Sequence, residues 1–378
     1  MCSPPEETAA VPSRPTMTRR SSSSMSKRQR QRVSSFVVDS ATAAFVAHYL
    51  YNNPSYLNPW NLPSAGAWIA GFFAIRFGVT FYDHLVVQVV ERCFRSDVLP
   101  TREAGAPPVR YVALDGKSVA YLALNSFNEY AFVMRLTRYL WAGGYQELLP
   151  WRLGELNLGN TILALGVMFV SMDLMYAPLH HILHLPAFYP LVHKHHHRQH
   201  FPVRGYLDAG NEHPIEHMIG VMCTWFAVHS AEVLVPTLRL LMGRISGSRA
   251  GDVWTSGGGV HAATVLVFFQ FHAALACLNH SPYDVNFSLP FAGSSCLFGG
   301  ARGKVLGWLD DVPVVGQAVR RFGTGQWFQY SVGHHEMHHR KFNYNYGQYC
   351  MLYDRLMGTF LGYEGPRKVS ELAKEKSK

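Results

Sequence analysis

Apolar and polar positions alternate in long blocks along this chain. Residues 40–75 carry no Asp, Glu, Lys or Arg, but Pro54, Pro59 and Pro63 interrupt them, so no single helix can run through. Residues 65–90 form the next apolar run, broken by Arg76, Asp83 and His84. Runs 156–177, 218–242 and 253–279 follow, and the last stays free of charge as far as Tyr283. A helix of about 20 apolar residues crosses roughly 30 Å of hydrocarbon, so these runs predict membrane spans. A buried core helix in a large soluble protein is the alternative for each. Residues 118–141 are helical in pattern but hold Glu129, Arg135 and Arg138, which places them at an interface or packed inside. The expected fold is all-α: a multi-span membrane helical bundle.

The ends differ from the middle. Residues 1–35 carry Ser21 to Ser24 and a basic run from Arg19 to Arg32, with few large apolar residues, and read as a disordered tail. Such a tail suits an anionic lipid surface; a transit peptide or a plain solvated tail are the alternatives. Nothing apolar starts near Met1, so no cleavable signal peptide is expected. Residues 36–155 form an N-terminal membrane or interfacial region and 156–363 the expected catalytic domain. Within the latter, the Gly-rich stretch 293–326 reads as an inserted loop. Residues 364–378 form a charged tail.

Composition sharpens this picture. The chain has 378 residues, 48% hydrophobic and only 16% charged, with a net charge of +9. Its mean hydropathy of −0.01 fits a few spans plus a sizeable polar part. Six scattered cysteines without a C-x-x-C pair exclude a disulfide scaffold and a thiolate zinc finger. A membrane partner is expected and a nucleic-acid partner is not.

The decisive number is twenty histidines, ten of them between His180 and His217 and four between His334 and His339. His180 and His184 stand four apart, on one face of a helix. His193, His196 and His197 form H-x-x-H-H, as do His335, His338 and His339. His213 and His217 form a further i,i+4 pair with Glu216 between them. Isolated His48, His84, His229, His261 and His272 read as packed or surface residues. The clustered imidazoles are too many for one tetrahedral zinc and suit two metal ions. Imidazole accepts Zn, Cu, Fe or Ni, so ligand type leaves the metal open. The runs 218–242 and 253–279 form a hairpin, which returns the chain to the side holding the first boxes. Arg239, Arg244 and Arg249 at its turn run against the positive-inside rule, which leaves a re-entrant hairpin as the alternative. All boxes meet on one membrane face in either case.

These residues carry a resemblance. Asp173, His180-x-x-x-His184 and His193-Lys194-x-His196-His197 resemble the first two boxes of the fatty acid hydroxylase superfamily, the sterol desaturase-like membrane di-iron oxidases. His213-Pro214-x-Glu216 and Asn279-His280-Ser281-Pro282-Tyr283-Asp284 resemble elements of C4-methylsterol oxidases. His335-x-x-His338-His339, Phe342 to Tyr349, and Tyr353-Asp354-Arg355-Leu356 resemble the C-terminal signature of lathosterol C5-desaturase. The match spans 173–360, about half the chain. Tyr353 stands where that family has Trp, and Pro282 where it has Gly. Leu185 replaces a common second His, and His217 lies outside the pattern.

The resemblance implies an endoplasmic-reticulum oxidase with two irons that uses O2 to hydroxylate or desaturate a lipid, most directly a sterol. Its electrons would come from NAD(P)H through cytochrome b5 and its reductase. The implied ligands are His180, His184, His193, His196, His197, His213, His280, His335, His338 and His339. Asp173, Glu216, His217 and Asp354 are candidates for orienting them. Lys374-x-Lys376-x-x at the C-terminus resembles a dilysine retrieval signal, and both termini are expected in the cytosol. An acyl-chain or sphingoid-base hydroxylase is the nearest alternative. A His-rich metal transporter is the alternative of another class; it would place ionisable residues at mid-span, whereas these boxes sit at the ends of runs.

Overall fold

The computed structural model of the chain describes residues 27–94, 112–246, 259–283, 285–288 and 329–365. Six long helices run in order: α1 (Lys27–Asn52), α2 (Ala65–Phe94), α3 (Gly116–Trp141), α4 (Leu158–Leu183), α6 (Pro214–Ser246) and α7 (Ala262–Asn279), with the single turn α5 (Tyr206–Ala209) before α6. Two short helices, α8 (Val332–Arg340) and α9 (Leu352–Met357), close the described chain. Five of the long helices are long and apolar enough to cross a membrane: Val33–Asn52, Ala65–Val86, Leu158–Leu183, Pro214–Leu241 and Ala262–Asn279.

The prolines act as expected. Asn52 ends α1, Pro54 opens a single tight turn and α2 begins beyond Pro63. Residues 27–35 depart from expectation: they are the first turns of α1, not a free tail. The proposed insertion 293–326 and the dilysine pattern lie outside the described residues.

α3 is packed inside rather than interfacial. Asp115 caps it by accepting from Ser118 N, and Tyr121, Asn125, Tyr130 and Leu140 are buried along it. Its charges are partnered, Glu129 with Arg76 of α2 at 2.5 Å. Pairing of this kind is what makes charge tolerable among apolar helices.

The core is the seam between α4 and α6. Cys223, Ala227 and Ala231 recur every four residues on α6, each with 0% exposure, opposite Ala164, Met168 and Met172 of α4. Between apolar helices surrounded by lipid, close packing of small side chains supplies the attraction that water would supply elsewhere. Phe169 meets Phe268 of α7 edge to face.

The order of contacts sets the polarity of the bundle. Thr161 and Thr264 bring the starts of α4 and α7 together at 3.1 Å, so these two helices run parallel, and α6 runs back along α4. At that end Val260 N donates to Leu148 O at 3.2 Å, and buried Glu232 accepts from Tyr145 N and from the Tyr139 hydroxyl. The opposite end therefore collects the C-terminus of α4, the N-terminus of α6 and the C-terminus of α7.

Beyond α7 the described residues hold two short strands. β1 (Asn286–Ser288) pairs antiparallel with β2 (Gln329–Ser331), Phe287 opposite Tyr330. β2 runs straight into α8, and Val332 N donates to Val285 O at 3.1 Å. This clamp delivers the last histidine box to the end of α7.

Candidate metal centre

The histidine boxes converge at that end of the bundle in two groups. His180, His184, His193, His197 and His338 form the first, and His196, His280, His335 and His339 the second, with the donor atoms of each group within 4.8 Å of one another. The first draws on α4, the segment 193–197 and α8. The second draws on the same segment, the residue after α7, and α8. His184 is half-buried and the other eight are buried.

Each H-x-x-H-H box serves both groups. His193 and His197, four apart, join the first group, while His196 joins the second. On α8 the division reverses: His335 and His339 join the second group, and His338 the first. Successive helical residues point about 100° apart, so adjacent histidines face different ways. The boxes thereby lock the two groups side by side. His195 points elsewhere, with Nε2 at 2.9 Å from Asn211 Oδ1.

The outer ring nitrogens decide which lone pairs face inward. His180 Nδ1 lies 2.9 Å from Tyr346 O, His338 Nδ1 2.7 Å from Tyr344 O, and His280 Nδ1 2.9 Å from Ala276 O. His193 Nδ1 lies 2.6 Å from Glu216 Oε1. A carbonyl or carboxylate only accepts, so each Nδ1 carries the proton and each Nε2 presents a lone pair. Nε2 atoms crowd together within the cage: His180 to His193 at 3.1 Å, His197 to His193 at 2.8 Å, His338 to His197 at 3.2 Å and His335 to His280 at 3.2 Å. The lone pairs of His180 and His193, facing each other across 3.1 Å, repel unless a cation sits between them, so the first group fits a metal ion, and the four crowded imidazoles of the second can hold another.

Electrostatics point the same way. Burial, then the neighbouring imidazoles, push the pKa of His184, His193, His196, His197, His335, His338 and His339 down, holding the rings neutral and ready to donate. Five and four neutral nitrogens, with no thiolate in either group, fit an imidazole-binding metal ion. Five donors exceed the four of a structural zinc.

Several expected residues fall elsewhere. His213 belongs to neither group. Its Nδ1 accepts from Ile215 N at 3.1 Å at the start of α6, and its Nε2 faces Asp39 Oδ1 at 3.0 Å. Both nitrogens are used, one as a helix cap and one to hold α1. His217 pairs with Glu212 at 3.0 Å and belongs to neither group. Glu212 and Glu216 lie within 4.8 Å of a nitrogen of His196, so these acids border the second group.

Asp173 and Asp354 reach the ligands only through a loop. Asp173 accepts from Gln348 N at 2.6 Å and Tyr349 N at 2.8 Å; Asp354 accepts from Tyr346 N and Gly347 N at 2.8 Å. Both carboxylates crowd Gly347, where a Cβ would lie 2.3 Å from Cys350 O and 3.1 Å from Asp173 Oδ2. That loop presents the Tyr346 carbonyl to His180.

The carbonyls of Tyr344 and Tyr346 are functional groups that sequence reasoning missed, because a carbonyl has no residue signature. Glu212 was legible as an acid beside His213. His181 and Tyr353 were legible as types but not as partners: the His181 ring stacks on Tyr346 at 4.2 Å, and its Nδ1 lies 3.0 Å from the Tyr353 hydroxyl.

A scan against protein-family models matches none, and neither the curated proteins nor the solved structures give a significant match to this chain.

Proposed function

We propose that this chain is an O2-dependent di-iron oxidase of the endoplasmic-reticulum membrane that hydroxylates or desaturates a lipid, with a sterol as the substrate class. One observation carries the reading: nine clustered imidazoles in adjoining groups of five and four at one end of a bundle of membrane-length helices. His180, His184, His193, His197 and His338 would hold one iron, and His196, His280, His335 and His339 the other. Iron bound there supplies the activation of O2 needed to attack an unactivated C–H bond.

The chain's own part is positional. The Tyr344, Tyr346 and Ala276 carbonyls and the Glu216 carboxylate fix the ring orientations. Burial of the cage keeps bulk water from it. Its place at the helix ends suits a substrate that stays in the bilayer while a water-soluble electron donor, cytochrome b5 reduced from NAD(P)H, approaches from the cytosol. The termini are assigned to that side. The sterol class rests on the resemblance at His213-Pro214, at 279–284 and at 342–349. An acyl chain or sphingoid base is the competing substrate.

Metal analysis of the detergent-purified chain is expected to give two irons per chain, and His338→Ala or His196→Ala to abolish turnover while membrane insertion persists. A single tetrahedral ion, or full activity in either variant, overturns the reading. Expression in host strains lacking C4-methylsterol oxidation or C5-desaturation, followed by sterol mass spectrometry, is expected to restore one of the two. Hydroxylated sphingolipids or fatty acids instead would replace the sterol assignment.

A further inference from the structure

Outside the ligand cage, one aromatic file reaches it without a break. Tyr346 is buried, with its ring 5.2 Å from His184 and 5.8 Å from His338, both members of the first group. His181 stacks on the other side of Tyr346, nearly parallel at 13°. Tyr353 is half-buried at the outer end, its hydroxyl 3.0 Å from His181 Nδ1. The file is held at its base: the Asp354 carboxylate, next to Tyr353, accepts from the amide of Tyr346 at 2.8 Å.

Packing alone does not account for this arrangement. Phe in place of Tyr353 would fill the same space, yet the hydroxyl lies 3.0 Å from His181 Nδ1, close enough for a proton to pass between them. A phenol hydrogen-bonded to an imidazole is poised to lose an electron and pass its proton across that bond. The contiguous rings give the electron a route to the cage.

We propose that Tyr346, His181 and Tyr353 form a relay that discharges an oxidising equivalent from the metal centre to the protein surface when no substrate C–H bond receives it. This rests on the oxidase reading above. The step balances. One electron passes inward from Tyr353 through His181 and Tyr346 to the centre, which is reduced by one electron. Tyr353 is oxidised to a neutral phenoxyl, and its proton moves to His181 Nδ1. A small thiol or ascorbate-class reductant in the water then returns one electron to Tyr353, and the proton returns from His181. The relay protects the cage from oxidising its own histidines.

The test uses the full chain, iron-loaded and reduced, mixed with O2 without substrate and frozen for electron paramagnetic resonance. A tyrosyl radical is expected. Tyr353→Phe should lower it about tenfold, with more oxidised cage histidine in peptide mass spectra and an unchanged iron content, and Tyr346→Phe should lower it as well. Tyr51→Phe, at an 85% exposed position on α1, should leave the signal intact. Iron oxidation by O2 with no radical, or with a radical of full size in Tyr353→Phe, overturns the relay alone. Reduced iron that does not react with O2 overturns the relay together with the oxidase reading.

Discussion

His196 and His197 are neighbours in the chain, yet they serve different groups of the cage. At this scale, function depends on which nitrogen faces inward, and that is decided by what holds the other one. Glu216 holds His193 at 2.6 Å. Glu216→Gln keeps an acceptor but removes the charge that raises the ring's basicity. Metal affinity is expected to fall roughly 10- to 100-fold, as read by chelator competition; unchanged affinity would show that Glu216 only fills space. His213 gives the opposite expectation. It caps α6 and holds Asp39, so His213→Ala should cost about 1 kcal/mol of stability and leave both metals bound. Loss of a metal equivalent in that variant would return His213 to the ligand set.

At the scale of elements, the core helices α4, α6 and α7 each have a site end and a structural end. The structural end is organised by Glu232, 0% exposed on α6. It accepts from the Tyr139 hydroxyl at 2.6 Å, from Tyr145 N at 2.9 Å and from His229 Nδ1 at 2.9 Å, tying α3 and the 142–149 turn to α6. Gly144, at φ 72°, lets the turn pass: a Cβ there would lie 2.3 Å from Glu232 Oε1. Glu232→Ala would strand the half-buried Tyr139 hydroxyl and the Tyr145 amide, at no more than about 1–3 kcal/mol for each. The expected result is a lower melting temperature in detergent with full metal content, since the cage lies at the other end. A variant that melts like the parent would show that this network contributes nothing net.

Taken as a whole, the molecule buries many imidazoles in one place, and this ties its stability to pH. Burial lowers the pKa of the cage histidines beyond the span-length helices and of His334, the latter to about 4. An unfolded chain begins to bind protons near the ordinary histidine value of about 6.5. The folded chain does not, so protons favour unfolding as the pH drops below that value. Metal-free protein should be most stable above about pH 6.5 and lose stability progressively down to about pH 4, where His334 also titrates in the folded state. Melting temperatures across that range test this. A flat profile would mean that the cage opens and protonates without unfolding. Bound metal should move the onset to lower pH, because it competes with protons for the same lone pairs.

The amino-acid sequence by itself determined the helical, apolar architecture and the existence of a histidine cluster. Both are local: length without charge makes a span-length helix, and i,i+4 spacing puts two rings on one face whatever surrounds them. Hence the boxes at 180–184, 193–197 and 335–339 were legible in full. The tertiary structure decided the rest. It divided each H-x-x-H-H box between two groups, because adjacent helical positions diverge in direction and only the neighbouring elements say what lies each way. It removed His213, because an N-cap and an N-terminal helix bearing Asp39 use both its nitrogens. It supplied the Tyr344 and Tyr346 carbonyls, because every residue carries a carbonyl and only a folded loop aims one. It also made strands on either side of residues 293–326, where three residues pair with three far along the chain and local pattern carries no signal of that partner.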